Sequence, residues 1–488
     1  MSLDDLLRSI HHLLPHIVAT LGVLVALGTT AHIVLYKSDV RAAIGWAGLV
    51  WLAPFIGAML YWMLGINRIR RRAGRMRRGI ALSSDFTQEI AAKQQEAQFL
   101  PATMPGRFAA LATAVGTTSG QALMPGNTVA PLVDGDQAYP AMIAAIDAAE
   151  TSVAMTSYIF DNDRAGAMFA DALARAVQRG VTVRVLIDGV GARYSKPPIT
   201  GVLAARGIPH ARFLPHIFPL ANPYFNLRSH RKILVIDGST GFVGGMNVRE
   251  GCILSVPSKE ATQDIHARIT GPVVRQFMET IAFDWHFTTR EVLDGATWFP
   301  PLEPTGTVVA RGVPDGPDED FETLHDTILS ALSVAHQSVQ IVTPYFLPDE
   351  PLIDALRVAS MRGVRVDLVL PEKNNLTVVA WAAMAGLWHV LKWGVRVYFT
   401  RPPFDHSKIM VVDGTWSMLG SANWDPRSLR LNFEYNIECY DTMLAAELTE
   451  IIQRKIATAR MFSPAEWQRQ SLFHRLRNGV ARLGQPYL

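Results

Sequence analysis

The feature that most constrains the fold of this 488-residue chain is an internal repeat. Several segments recur in the same order, with a period of roughly 180 residues. The matched pairs include Ser157-Tyr-Ile-Phe with Pro344-Tyr-Phe-Leu, Arg179-Gly-Val-Thr-Val with Arg362-Gly-Val-Arg-Val, and His230-Arg-Lys-Ile with His406-Ser-Lys-Ile. A repeat of this length predicts two copies of one domain rather than a solenoid of short units.

Within the first copy, apolar runs of strand length alternate with amphipathic runs of helix length. The pattern predicts strands at 128–133, 152–160 and 181–187, with helices at 138–149 and 163–179. Alternation of this kind predicts an α/β sandwich, built around a mixed or parallel sheet. The Pro-rich stretch 299–304 is the predicted junction, so the two domains would cover residues 127–300 and 301–488.

Two long uncharged runs precede the repeat, at residues 17–36 and 42–66. Each is long enough to cross about 30 Å of hydrocarbon as a helix. The short connection 37–41 therefore predicts a two-helix transmembrane hairpin over residues 1–66, with Pro54 tolerated as a kink. A cluster of arginines follows directly, at positions 68, 70, 71, 72, 75, 77 and 78. Because such clusters stay on the cytoplasmic side, we expect a multi-pass protein whose repeated domains face the cytoplasm.

Other interpretations of these two runs are possible. The first could be a cleaved signal peptide, but Asp4 and Asp5 precede it against only Arg8, and no clear cleavage site follows. Both runs could also be buried core helices, although their length and the arginine cluster favour membrane helices. Residues 67–126 are predicted to be a basic juxtamembrane segment and a linker that includes a helix at 85–99.

Composition restricts the classes of function. Hydrophobic residues make up 49% of the chain and the mean hydropathy is +0.15, which is high for a purely soluble enzyme. The net charge of only +3 does not predict a protein that coats nucleic acid. Cys252 and Cys439 show no pairing pattern and are interpreted as buried thiols of a reducing compartment.

The repeat carries the motif H-x-K-x4-D twice, as His230/Lys232/Asp237 and His406/Lys408/Asp413. Alternation along a strand places the histidine and the lysine on one face. A phosphodiester gains negative charge in its transition state, and fixed cations stabilise that charge. Two histidines that face each other can divide the roles of nucleophile and proton donor, with a phosphohistidine as the intermediate. Each of the two aspartates precedes a glycine, and because Asp-Gly is common in turns, a structural role in a turn is the alternative to a catalytic role.

Four further residues complete the predicted site. Asn247 and Asn423 end the short strands that follow each motif, where they could donate to phosphate oxygens. Asp264 and Glu434, roughly thirty residues after each motif histidine, are candidates to fix the tautomers of the histidines. No Walker loop, H-E-x-x-H, G-x-S-x-G or C-x-x-C motif is found, and we predict neither a metal ion nor a cofactor.

At these residues the chain resembles the phospholipase D superfamily and, within it, the bacterial cardiolipin synthase family. The resemblance covers nearly the whole chain and includes Asn226-Leu-Arg-Ser-His-Arg-Lys, Ser421-Ala-Asn-Trp-Asp-Pro-Arg-Ser and Asn432-Phe-Glu-Tyr-Asn. It implies a pseudo-two-fold active site in which His230 is the nucleophile and His406 the acid and base. It also implies transfer of a phosphatidyl group between two phosphatidylglycerol molecules at the bacterial inner membrane, with release of glycerol. The lead Pro402-Pro-Phe-Asp before His406 departs from the first copy and leaves substrate preference open.

Several alternatives stay open at this point. The same chemistry with water as the acceptor would make a hydrolytic phospholipase D, and phosphatidylethanolamine could replace phosphatidylglycerol as the donor. A membrane-bound nuclease or an inactive scaffold is less consistent with the hydrophobic N-terminus and the two intact motifs. The C-terminal stretch 466–483 alternates arginines with apolar residues. It is interpreted either as a helix in the headgroup region or as one packed on the catalytic domain.

Overall fold

The computed structural model describes residues 3–37, 40–65, 99–102, 104–215, 227–316 and 322–485. The chain divides into two compact units, Met1–Arg77 and Arg78–Leu488. The predicted arginine cluster, nearly all of the predicted helix 85–99, and Asn226 lie outside the described residues.

The first unit contains three α-helices in its described residues: α1 (Leu3–Tyr36), α2 (Val40–Leu52) and α3 (Pro54–Leu60). A π-helical turn, Tyr61–Gly65, continues from α3. Of the described residues, Leu13–Tyr36 in α1 form the one helical stretch long and apolar enough to cross a bilayer. This stretch contains the first predicted span.

The second predicted span, 42–66, is not a continuous helix. Ala53 leaves the helical conformation (φ −145°, ψ 79°) between α2 and α3. The rings of Trp46 and Tyr61 lie 5.6 Å apart, whereas one straight helix would separate these positions by about 22 Å. The chain therefore folds back, and α3 runs antiparallel to α2. The structure does not confirm two spanning helices, and Pro54 accounts for the break, because it disfavours a helical conformation at the residue before it and lacks the N–H of the helical ladder.

The α2–α3 pair is tightly packed. An ideal Cβ on Gly57 would lie 2.6 Å from the Leu49 carbonyl oxygen, so only glycine permits this approach. The pair also packs on α1, where His32 Nδ1 lies 2.9 Å from the Tyr61 hydroxyl. With 13 residues, α2 is about 20 Å long and shorter than the hydrocarbon thickness.

The second unit is a duplicated α/β structure. The strands of its first half are β1 (Met124–Val133), β2 (Ser152–Ser157), β3 (Thr182–Asp188), β4 (His210–Phe213), β5 (Ile233–Ile236), β6 (Thr240–Gly244), β7 (Thr262–Gln263) and β8 (Ile265–Thr270). The strands of its second half are β9 (Val308–Asp315), β10 (Ser338–Val342), β11 (Arg365–Pro371), β12 (Arg396–Thr400), β13 (Phe404–Asp405), β14 (Ile409–Val412), β15 (Trp416–Gly420), β16 (Glu434–Tyr440) and β17 (Arg460–Phe462).

Helices cover the sheet in both halves. Those before and within the first half are α4 (Arg107–Ser119), α5 (Asp134–Ala148), α6 (Arg164–Gln178), α7 (Ile199–Ala205) and α8 (Val274–Thr289). Those of the second half are α9 (Thr323–Val334), α10 (Glu350–Met361), α11 (Thr377–Gly386), α12 (Trp388–Leu391), α13 (Thr442–Thr458), α14 (Pro464–Gln468) and α15 (Leu472–Leu483). The predicted elements between residues 128 and 187 match β1, α5, β2, α6 and β3 in type and order.

The strand order shows the duplication directly. In the described residues the main sheet runs β17-β12-β11-β10-β14-β15-β16-β9-β1-β8-β6-β5-β2-β3-β4. Outward from the centre of the sheet, the first half has the order β1-β8-β6-β5-β2-β3-β4, and the second half has the matching order β9-β16-β15-β14-β10-β11-β12. The two halves meet where β1 pairs with β9 in antiparallel orientation. Each half has its own apolar core, with Phe169 and Val185 in the first and Leu356 and Val397 in the second.

Helix α4 was not predicted, although it lies in the segment interpreted as a linker. Its buried residues Phe108, Leu111, Ala112 and Val115 follow helical spacing and enter the core of the second half. A segment that precedes the first copy therefore completes the core of the second copy. The spacing was a usable signal, but alanine, threonine and glycine around it weakened the contrast.

Candidate active site

His230 lies just before β5 and is held against the second half. Its backbone N–H donates to the Phe433 carbonyl (2.8 Å), and the Phe433 N–H donates to the Arg228 carbonyl (2.8 Å). This short parallel pairing brings Glu434, the first residue of β16, beside the imidazole. Glu434 Oε2 lies 2.9 Å from His230 Nδ1.

His406 is positioned in the same way by the first half. Strands β13 and β7 pair in parallel, and the His406 N–H donates to the Gln263 carbonyl (2.7 Å). The next residue is Asp264, whose Oδ2 lies 2.8 Å from His406 Nδ1.

Each histidine is thus oriented by a carboxylate from the opposite copy. The partners are 204 residues apart for His230 and 142 residues apart for His406. Because Nδ1 is engaged in both rings, Nε2 is the nitrogen left for chemistry. Neither copy contains a complete site of its own.

The two carboxylates are buried and ionised. Burial acts to raise the pKa of Glu434, but His230, Lys232 and a hydrogen bond from Ser421 together hold it below its usual range. Burial also opposes ionisation of Asp264, and the charge of Lys408 and the hydrogen bond with His406 lower its pKa. Both side chains can therefore accept a hydrogen bond from a histidine at neutral pH.

The two lysines of the motifs lie beside the histidines. Lys232 Nζ donates to the His230 carbonyl at 2.6 Å, and Lys408 Nζ donates to the His406 carbonyl. Burial lowers the pKa of Lys232 to about 7, with Glu434 opposing the shift and Lys408 adding to it. Burial lowers the pKa of Lys408 to about 8, against the charges of Asp264 and Glu434. The ammonium groups of both copies therefore belong to one electrostatic cluster.

The histidines are neutral at neutral pH. Burial lowers the pKa of His230 to about 4, although the charge of Glu434 acts in the opposite direction. Burial likewise lowers the pKa of His406 to about 4, and the charge of Lys408 adds to this effect. A neutral imidazole that donates through Nδ1 carries a lone pair on Nε2, as a nucleophile requires.

The two asparagines lie in matching turns. Asn247 Oδ1 accepts a hydrogen bond from the Ile159 N–H at 3.0 Å. Asn423 Nδ2 donates to the Ser428 hydroxyl at 3.1 Å. Both side chains are buried and follow a strand that is adjacent to the motif strand.

Asp237 and Asp413 end the strands that follow the histidines. Asp237 accepts hydrogen bonds from the backbone N–H groups of residues 150, 151 and 152, and Asp413 from those of residues 336, 337 and 338. Both have a left-handed backbone, with φ of 49° and 52°. Seven residues of extended chain between His230 and Asp237 correspond to about 23 Å. Their hydrogen bonds fix the backbone at the start of β2 and β10.

Two tyrosines that the motif analysis did not assign lie against the histidines. The Tyr158 ring is 5.0 Å from the His230 ring, and the Tyr345 ring is 6.3 Å from the His406 ring. Burial raises the pKa of both phenols, so they stay protonated. Their repetition in Ser157-Tyr and Pro344-Tyr was the available signal. Ser421, whose hydroxyl lies 2.5 Å from Glu434 Oε2, was also missed as a site residue.

One further histidine interacts with this cluster: burial lowers the pKa of His266 to about 4, and the charges of Asp264 and Lys232 act on it in opposite directions. His210, the first residue of β4, has its Nδ1 2.9 Å from the Ile208 carbonyl oxygen. Cys252 and Cys439 are buried free thiols, as the sequence predicted. Across the described ranges, no group of three or more His, Cys, Asp or Glu side chains is arranged to hold a metal ion.

A duplicated α/β frame with two H-x-K motifs at one site defines a phospholipase D-like protein. The phosphatidylserine synthase of Haemophilus influenzae Rd KW20 has the same fold, with a TM-score of 0.60 at 15% identity over 78% of this chain and all of that chain. A family profile described as cardiolipin synthase, PLD-like domain, matches residues 142–285 and 328–456. The chain belongs to this phospholipase D-like cardiolipin synthase family.

Curated relatives extend the similarity to nearly the full length. The major cardiolipin synthase of Bacillus subtilis (strain 168) is 31% identical over 94% of this chain and 96% of its own length. Cardiolipin synthase A of Pseudomonas fluorescens (strain SBW25) is 31% identical over 98% of this chain and 99% of its own length.

Proposed function

We propose that this protein synthesises cardiolipin by transferring a phosphatidyl group from one phosphatidylglycerol to the terminal hydroxyl of another, with release of glycerol. The observation that carries the proposal is the pair of histidines, each held by a carboxylate of the opposite copy, with both lysines in the same buried cluster. The near full-length similarity to cardiolipin synthases supports the choice of lipid.

In the first step, His230 Nε2 attacks the phosphorus of the donor lipid. A phosphorus–nitrogen bond forms as the bond to the glycerol oxygen breaks, and protonated His406 gives its Nε2 proton to that oxygen. Glu434 accepts a hydrogen bond from the Nδ1–H of His230 and stabilises the positive charge that develops on the ring. Lys232 and Lys408 stabilise the charge on the phosphoryl oxygens, aided by the amides of Asn247 and Asn423.

In the second step, neutral His406 takes the proton from the hydroxyl of the acceptor phosphatidylglycerol. The resulting oxygen nucleophile attacks phosphorus, the bond to His230 breaks, and cardiolipin leaves. His406 is again protonated and His230 again neutral, so the cycle closes without a net change in the protein.

His406 is protonated in the first step of this reaction, although burial lowers its pKa to about 4 in the protein without substrate. A bound phosphodiester adds negative charge to the cluster, and a nearby negative charge raises the pKa of an imidazole. Substrate binding therefore favours uptake of a proton from water by His406, and His406 transfers this proton to the leaving oxygen. In this proposal Asp237 and Asp413 support the strands and take no part in proton transfer.

The membrane attachment follows from the first unit. We place α1 across the bacterial inner membrane, and the α2–α3 pair enters and leaves the bilayer from one side. The arginines at positions 68–78 favour the cytoplasm for the duplicated domains, whose proposed boundaries stay at 127–300 and 301–488.

Product analysis tests this function. Purified full-length protein in phosphatidylglycerol vesicles should release one glycerol for each cardiolipin, and neither should form with His230→Ala or His406→Ala. Phosphatidic acid as the main product would instead identify a hydrolase. A parallel reaction with labelled phosphatidylethanolamine identifies an ethanolamine-releasing donor, and a lack of cardiolipin in both reactions would reject the proposal.

A further inference from the structure

Helix α15 presents its apolar side to the outside of the second unit. On a helical projection its five large apolar residues lie within about 100° of one another. All five are strongly exposed: Leu472 (70%), Phe473 (72%), Leu476 (61%), Val480 (68%) and Leu483 (81%). A helix on the surface of a soluble protein has the reverse arrangement, with its apolar stripe toward the core.

The opposite, polar side of α15 holds the helix to the protein. Asn478 is buried and donates to Gln470 Oε1 at 3.2 Å. The Arg477 guanidinium lies 4.4 Å from the centre of the Trp381 ring in α11. Arg482 Nη1 lies 2.8 Å from His389 Nε2 in α12. These contacts fix the rotation of the helix, so the apolar stripe cannot turn inward without breaking them.

The helix also adjoins the wall of the His406 half of the site. Ala481 and Phe404 both pack on a buried cluster that includes Tyr345, and the rings of Tyr345 and Phe404 lie 6.3 Å and 5.8 Å from the His406 ring. Beyond the end of the helix, Gln485 donates to the carbonyl of Leu347, two residues after Tyr345. The apolar stripe is thus on the outer side of the elements that line the active site.

We propose that α15 is an interfacial helix whose apolar stripe enters the surface of an anionic phospholipid bilayer and seats the His406 half of the site there. The charge pattern selects this occupant, because α15 carries Arg475, Arg477 and Arg482 and no acidic residue. On the projection, Arg477 borders one edge of the stripe and Arg475 lies beyond the other, as in helices at anionic interfaces. The inference rests on the proposed function in one respect, that the substrate is a membrane lipid.

The direct test uses a fluorescent probe on the full-length protein. Position 473 is changed to cysteine and labelled with an environment-sensitive dye, since Cys252 and Cys439 are buried. The matched control carries the label at Met443, which is equally exposed (79%) on α13. In proteoliposomes, the dye at 473 should shift to the blue and be quenched by spin-labelled lipid, more strongly with phosphatidylserine than with phosphatidylcholine alone. The control label should do neither.

A kinetic test uses the triple variant Phe473→Ser, Leu476→Asn and Val480→Asn. We expect its KM for long-chain phosphatidylglycerol in vesicles to rise roughly tenfold, with turnover of monomeric short-chain phosphatidylglycerol unchanged. The control triple Val292→Asn, Met361→Asn and Met443→Asn changes other exposed apolar residues and should leave both values as in the parent.

Three outcomes separate the possibilities. A probe at 473 that stays in water, or that shifts only with protein concentration in detergent, overturns the inference, and the second result identifies a contact between copies of the chain. Cardiolipin synthesis without lipid quenching at 473 rejects the interfacial helix and leaves the proposed function intact. Lipid quenching at 473 without cardiolipin synthesis supports the interfacial helix and rejects the proposed function.

Discussion

At the scale of single residues, the chemistry depends on which nitrogen of each histidine is free. Glu434 and Asp264 each occupy an Nδ1, so both Nε2 atoms are available to a lipid phosphate. Burial keeps the histidine rings neutral, and it lowers the pKa values of the lysines towards neutral pH. The same desolvation thus prepares the nucleophile and makes the cation cluster sensitive to pH.

Replacing Glu434 with glutamine should reduce kcat by about 10²- to 10⁴-fold, because the tautomer and the charge that support His230 are both altered. The same change at the exposed Glu447 should have no effect.

In contrast, Asp237→Asn should mainly lower the unfolding temperature, since Asp237 accepts hydrogen bonds from backbone amides away from the histidine. Vesicle assays with differential scanning fluorimetry check both expectations. A larger loss of kcat for Asp237→Asn than for Glu434→Gln would contradict the site as described.

The pH dependence follows from the burial of the lysines and histidines. The first step needs His230 neutral, which holds above a pKa of about 4, and His406 protonated, which the bound phosphodiester favours. It also needs Lys232 and Lys408 charged, which fails as pH rises through about 7 and 8. We therefore expect kcat/KM to be highest in weakly acidic solution and to fall on the alkaline side. In Lys232→Met the remaining alkaline decline should lie near pH 8, the value for Lys408. A profile of the parent that rises from pH 7 to pH 9 would rule out this account.

The residue types of the site could be predicted, but their partnerships could not. His230, Lys232, Asn247 and their repeats stand out because the same local pattern occurs twice. Glu434 of the second copy holds His230 of the first, and Asp264 of the first copy holds His406 of the second. Both contacts depend on a few backbone hydrogen bonds between distant segments. Such pairing leaves no periodic trace in the sequence. The tyrosines were visible in the repeat, yet a lone tyrosine has no spacing that indicates chemistry.

At the scale of elements, periodicity identified long regular segments and failed where a short break decides the geometry. Strands β1 to β3 were predicted because their apolar runs match the strand period. The run 42–66 is equally apolar on both sides of Ala53, so hydropathy alone cannot show that the chain reverses there. The close approach of Gly57 to Leu49 reveals the reversal, and it is a tertiary contact.

The reversal predicts that in the first unit α1 crosses the membrane, whereas the α2–α3 pair enters and leaves it on the same side. Cysteines placed at Lys37 and Met63 should react with an impermeant maleimide from the same side of the membrane, because α2 and α3 return to the end of α1 where they began. A reporter fused to the N-terminus should lie on the opposite side. Labelling in right-side-out and inverted vesicles measures this. Reaction of positions 37 and 63 from opposite sides would show that residues 42–66 cross the bilayer, as the sequence alone predicted.

At the scale of the whole molecule, the two copies depend on one another. Helix α4 precedes the first copy but fills the core of the second. Arg231 comes from the first copy, pairs with Asp284 at 2.7 Å, and donates to the backbone carbonyl of Glu434 in the second. Both charged side chains are buried, so the ion pair holds Arg231 in place within the first copy, and its hydrogen bond to Glu434 links the two copies next to His230.

Breaking this link should destabilise the duplicated unit. Arg231→Met removes the charge that pairs with buried Asp284, and losing one member of a buried ion pair costs about 3 to 5 kcal/mol. The double variant Arg231→Met, Asp284→Leu removes both charges and should recover much of the loss. Thermal unfolding of the full-length variants checks this order. Equal unfolding temperatures for the single variant and the parent would show that Arg231 does not stabilise the duplicated unit.

The central claim is that the two copies form one site in which His230 carries the phosphatidyl group. Its most direct measurement is mass spectrometry of peptides from enzyme quenched during turnover with phosphatidylglycerol. We expect a phosphatidyl adduct on the peptide that contains His230 in the parent enzyme, none in His230→Ala, and little in His406→Ala, because His406 also supplies the proton to the leaving glycerol oxygen in the first step. An adduct on His406, or turnover by His230→Ala at the rate of the parent, would contradict it.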